Sequence, residues 1–69
     1  MKLHQLRYVR EVARQGLNVS LAAEALHTSQ PGVSKQIQLL EEELNLQIFQ
    51  RNGKRLIGIT EPGKNILEL

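Results

Sequence analysis

The apolar residues of this 69-residue chain follow a helical rhythm three times, and then the rhythm changes. From Lys2 to Gln15, the residues Leu3, Leu6, Val9, Val12 and Ala13 recur every three or four positions, which predicts an amphipathic helix stopped by Gly16. Asn18 then offers a capping oxygen to a short second helix, VSLAAEALH. Its Ala22, Ala23 and Leu26 form a stripe small enough for a neighbouring helix to come close, and the polar HTS ends it. Ser29 is the next N-cap, and Pro31 is tolerated in a first turn where no intrahelical donor is lost. At about 100° per residue, Val33, Ile37, Leu40 and Leu44 lie within about 60° of one another and define the buried stripe. Pro31, Ser34, Lys35 and Gln38 point the opposite way. Asn45 suits the left-handed conformation that ends a helix.

Beyond Asn45 the pattern is that of a hairpin. IFQRNGKRLIGI is two apolar-containing runs around Asn52-Gly53, a dipeptide that predicts a type I′ turn, with Arg51, Lys54 and Arg55 near the tip. Gly58 weakens the second strand slightly. Thr60 can cap a fourth helix with Pro62 in its first turn, and GKNILEL carries that helix to Leu69, where it stops in mid-pattern as a truncated helix would. The expected fold is mainly α: a winged helix-turn-helix with a three-helix core, a two-stranded β-hairpin wing and the start of a linker helix. It divides into a domain over 1–60 and a truncated helix start over 61–69.

The third helix carries the functional signal. Its outward face is short, polar and free of carboxylates until Glu41, Glu42 and Glu43 arrive on the last turns, where acids oppose the helix dipole. A helix made only to be soluble would mix both charges along that face. A DNA major groove is about 12 Å wide and admits one helix, whose first turns meet base edges. Ser29, Gln30, Ser34, Lys35 and Gln38 are small or flexible hydrogen-bonding residues suited to that contact, while Arg51, Lys54 and Arg55 would lie over the neighbouring backbone or minor groove.

Composition narrows the alternatives. The net charge is +2 and the pI about 9.4, in the range of nucleic-acid modules. No lysine or arginine occurs between Gln15 and Ser34, so positive charge brackets the middle of the chain. Cysteine is absent, which excludes disulfides and thiolate metal sites. His4 and His27 lack a matching ligand set, and no cofactor or metal is expected. Ser34 beside Lys35 lacks the oriented base and oxyanion donors that a nucleophile needs, so no enzymatic activity is expected. No apolar run approaches the roughly 20 residues of a membrane span, and the N-terminus lacks a signal-peptide pattern, which points to the cytoplasm. The competing reading is a winged helix used for protein–protein contact, with the wing facing an acidic partner. The acid-free opening of the third helix argues against it.

The run AAEALHTSQPGVSKQIQLLEEELN, followed by IFQR and ITEPG, resembles the N-terminal domain of the LysR-type transcriptional regulators over the whole chain. The resemblance implies that Gln30, Pro31, Gly32, Ser34, Lys35 and Gln38 lie near bases and backbone. It implies phosphate contacts from Asn18, Thr28 and Ser29, and a wing arginine at Arg51. Asn45 departs from the usual glycine, Glu61-Pro62 stands where an alanine normally precedes Gly63, and the wing is one residue longer than is common. That longer wing, with LNVS and TSQPGVSKQ, is similar to the subgroup controlling cysteine biosynthesis and sulfur assimilation, of CysB and Cbl type. By the resemblance, the partner is double-stranded DNA carrying an interrupted palindromic operator, with RNA polymerase as a further partner. Pairing into a homo-oligomer would run through the linker helix, and a small-molecule inducer would act only through a C-terminal domain missing here. A lone domain would fall toward non-specific affinities of roughly 10⁻⁴ to 10⁻⁶ M at physiological salt.

Overall fold

The computed structural model describes residues 2–68. Three helices come first: α1 over Leu3–Arg14, α2 over Val19–Ala25 and α3 over Gln30–Leu44. A hairpin of β1, Phe49–Asn52, and β2, Arg55–Ile59, follows, and α4 over Glu61–Leu67 closes the order. The expected caps form. The side chains of Asn18, Ser29 and Thr60 accept from the backbone N–H groups of Leu21, Gly32 and Gly63 at 3.0, 3.1 and 3.0 Å. Each satisfies an otherwise orphaned donor of a first helical turn.

The first three helices end in the same way. Gly16, His27 and Asn45 take the left-handed conformation at φ 67°, 57° and 55°. The following amides fold back, Leu17 to the Val12 carbonyl, Thr28 to Ala23 and Leu46 to Glu41, at 2.9, 3.0 and 3.1 Å. These are Schellman closures, and they make the α1–α2 and α2–α3 connections tight. Gly16 and Asn45 are residues that tolerate this conformation well. His27 is a less obvious choice, although histidine is among the residue types enriched there.

Val9, Val12, Ala22, Ala23, Val33, Ile37, Leu40, Ile48, Phe49 and Leu67 form the buried core, with Leu44 half-buried against it. Ala22 and Ala23 let α2 lie close on α3. Leu3, counted in the inward stripe of α1, is 84% exposed. Gln5 is buried in the first turn of α1 instead, and its side-chain oxygen accepts from the Lys2 amide.

The hairpin differs from its expected turn. Asn52 pairs with Arg55, so the two-residue loop is Gly53-Lys54 and lies one position beyond Asn52-Gly53. Of its two residues only Gly53 has positive φ, at 64°, as a type II′ turn requires. The register then slips between Gln50 and Arg51, leaving Ile57 as the extra residue of a bulge and 55% exposed. α4 seats Gly63 against the Ile48 carbonyl, where a Cβ would collide with that group. Its last described residue, Glu68, already has left-handed φ, and the expectation that the helix reaches Leu69 lies outside the described residues.

Candidate nucleic-acid interface

The exposed opening of α3 is built by its cap. Ser29 Oγ holds the Gly32 amide, and a Cβ on Gly32 would sit 3.0 Å from that oxygen and 3.1 Å from Thr28 Oγ1. Glycine therefore leaves room for both hydroxyls. Gln30, Pro31, Ser34, Lys35 and Gln38 are all exposed along the outer face, and the first turn contains no acid. Two contacts orient the glutamines. Ser20 Oγ donates to Gln30 Oε1 at 3.0 Å, and Gln38 Nε2 donates to Glu42 at 3.3 Å. These bonds engage the Gln30 carbonyl and the Gln38 amide NH₂. Ser20 escaped the sequence reading, since nothing in a single sequence shows that a serine ten residues earlier reaches Gln30.

The wing stands beside this helix. Gln30, Pro31, Ser34 and Gln38 line one side of an open groove whose other side is formed by Arg51 and Lys54. A second recess adjoins it, where Asn18 and Ser20 at the start of α2 meet Lys54 and Arg55 of the wing tip. The structure thus gathers eight of the twelve expected site residues around two adjoining recesses. Thr28, Ser29, Gly32 and Lys35 lie on the same opening turns of α3 and the turn before it, but do not line either recess. Lys35, Lys54 and Arg55 are exposed and make no ion pair with another described residue.

One expectation changes here, and a second residue acquires an internal contact. Glu41 does not belong to the outer acidic turns: it is buried, and its Oε2 accepts from the amides of Ile48 and Phe49 at 2.7 and 3.2 Å. Arg51, expected to face phosphate, closes onto the same carboxylate at 2.8 Å and onto Gln47 Oε1 at 3.0 Å. The physical reason is position. Glu41 follows Leu40 on the edge of the core stripe, about 40° around the helix from Ile37. A buried carboxylate requires donors, and the turn into β1 supplies them. The acid-free outer face of α3 consequently runs one position further than the sequence pattern indicated, to Glu42.

A short helix, a tight turn and an exposed second helix flanked by a basic hairpin define a winged helix-turn-helix domain. Residues 3–64 match the family described as bacterial regulatory helix-turn-helix protein, lysR family. The chain belongs to that family. It is 58% identical over 69 residues to the HTH-type transcriptional regulator CysB of Haemophilus influenzae, covering 100% of this chain and 21% of that protein. To the HTH-type transcriptional regulator cbl of Escherichia coli K12 it is 54% identical over 67 residues, which is 97% of this chain and 21% of the other. The chain therefore spans about a fifth of the length of these relatives. Among solved structures, that of the CbnR DNA-binding domain in complex with DNA superposes with a TM-score of 0.87 at 37% identity. That match covers 99% of this chain and 76% of the other.

Proposed function

We propose that this domain binds double-stranded DNA sequence-specifically, with the opening turns of α3 in the major groove and the wing along the adjacent backbone or minor groove. The observation that carries the reading is the acid-free face of α3 set across a groove from Lys54, a cation that makes no ion pair with another described residue. Ser29, Gln30, Pro31, Gly32, Ser34, Lys35 and Gln38 approach bases and the flanking backbone. Asn18, Thr28, Lys54 and Arg55 hold phosphates. The solved CbnR DNA-binding domain in complex with DNA supports the DNA-binding reading. The relatives named CysB and cbl support a role in regulating genes of cysteine biosynthesis and sulfur assimilation. The domain works in the cytoplasm by binding alone, without catalysing a reaction. Helix α4, Glu61–Leu67, begins the element through which two copies pair, so that paired domains meet two half-sites of an interrupted palindrome.

The test is fluorescence anisotropy of the chain with a labelled duplex across several salt concentrations. DNA binding predicts a steep loss of affinity with salt, with a slope of about −0.9 per phosphate contacted. Binding that is indifferent to salt, or absent at low salt in both single and paired forms of the domain, would move the wing to the protein-contact reading.

A further inference from the structure

The wing projects about ten residues beyond the end of α3, and a two-stranded hairpin is at best marginally stable by itself. Its orientation needs an external hold. Three features of the structure meet at the foot of β1. Glu41 Oε2 receives the amides of Ile48 and Phe49, both of whose side chains are fully buried. The guanidinium of Arg51 spans both oxygens of the same carboxylate, Nη2 to Oε1 at 2.8 Å and Nη1 to Oε2 at 3.4 Å. Its Nη1 also donates to Gln47 Oε1 at 3.0 Å. One carboxylate of α3 thus holds Ile48, just before β1, and Phe49 and Arg51 within it.

We infer that Glu41 and Arg51 are paired positioning residues that lock the wing onto the recognition helix, and that Arg51 is not itself a phosphate ligand. The inference rests on the DNA-binding reading and deepens it. The fork geometry of a guanidinium across a carboxylate fixes a plane as well as a distance. The charge of Arg51 is compensated at 2.8 Å by a carboxylate that is itself only 8% exposed. Lys54 and Arg55 have no such compensation among the described residues. Arg51 pairs across the hairpin with Leu56, and Asn52 with Arg55, so fixing Arg51 to α3 fixes where the two tip cations stand. A bulge directly beyond this point, at Ile57, bends β2 but leaves the pairs nearest the tip intact.

The experiment compares Glu41→Gln, Arg51→Lys and Lys54→Ala, with Glu41→Gln/Lys54→Ala as the double variant, in DNA anisotropy at several salt concentrations. Removing a negative charge ordinarily tightens binding to DNA. The lock predicts the opposite: Glu41→Gln weakens binding, and Arg51→Lys weakens it similarly although the charge is retained. Lys54→Ala should reduce the salt slope by about 0.9 in the wild-type background and by much less in Glu41→Gln, where the tip is no longer held. Tighter binding by Glu41→Gln, unchanged affinity of Arg51→Lys, or an equal Lys54 effect in both backgrounds overturns the proposal. Amide hydrogen exchange on the free proteins supplies a readout without DNA. Glu41→Gln and Arg51→Lys should both speed exchange across 49–59 while α3 remains protected, and unchanged protection of the wing also overturns the lock. Failure of the wild-type chain to bind any duplex would instead refute the DNA-binding reading, with the exchange result still deciding the lock.

Discussion

Replacing Glu41 by leucine puts an apolar side chain into a buried position, and it should nonetheless damage the domain. The residue is 7% exposed and its carboxylate is the acceptor for two amides at 2.7 and 3.2 Å. Each buried N–H left without an acceptor costs about 1–3 kcal/mol, so the pair costs about 2–6 kcal/mol. Arg51, with 31% of its side chain exposed, can turn toward water, so its lost ion pair adds little once solvent screening is considered. Leucine returns at most about 2 kcal/mol by burial. Set against that return, the expected net loss is about 0–4 kcal/mol, about 2 kcal/mol at the centre of the range. At roughly 0.05–0.15 kcal/mol per residue, a 69-residue domain has about 3–10 kcal/mol in total. The variant should therefore be substantially less stable and partly unfolded if the domain sits at the lower end. Urea denaturation followed by far-ultraviolet circular dichroism measures this as a lower midpoint at similar slope. Glu42→Leu is the control: the residue is exposed, with one 3.3 Å hydrogen bond from Gln38, and should stay within about 0.5 kcal/mol. Equal midpoints for the two variants, or a more stable Glu41→Leu, would refute the account of this carboxylate.

Three further outcomes are expected. Ser29→Ala removes the acceptor of the Gly32 amide and should cost about 1 kcal/mol in a thermal melt; an unchanged midpoint would mean that water replaces the cap fully. Gly63→Ala gains about 1 kcal/mol of helix propensity but drives a Cβ into the Ile48 carbonyl, itself held by the Thr60 amide at 3.0 Å. Lower stability is expected, and a gain would show that α4 can shift outward freely. Lys35→Glu should abolish duplex binding with an unchanged circular dichroism spectrum, because the side chain is exposed and opposite the core stripe. Retained affinity would remove Lys35 from the interface.

How much of this was readable in the chain depends on the range over which each signal acts. Periodicity and capping act within a turn or two, and Asn18, Ser29 and Thr60 cap the helices that their positions predict. Val33, Ile37 and Leu40 are buried as their spacing requires. Leu3 is exposed because periodicity says which face a residue occupies and nothing about where the opposing surface ends. Asn52-Gly53 correctly marked a hairpin, but glycine satisfies a turn of either primed type, and the pairing of Asn52 with Arg55 chose the one needing a single positive φ.

The site divides along the same line. The exposure of the outward residues of α3 was legible from their spacing, and their role as a DNA-reading face is the proposal that small polar side chains, one lysine and no carboxylate on that face support. Glu41 was misread, and the ion pair of Arg51 was missed, because each residue has a local explanation that hides a distant one. An acid beside two other acids looks like part of a solvated run, and an arginine on a wing looks like a phosphate contact. Their separation of ten positions brings them together only after α3 has ended at a left-handed Asn45 and the chain has doubled back through 47–49. The available clue was angular: Glu41 lies within about 40° of Ile37, too close to the core for a carboxylate with no donor waiting. An acid placed at the margin of a buried stripe therefore calls for a search along the returning chain for the N–H groups and the cation that will meet it. In this domain that search leads to the foot of the wing.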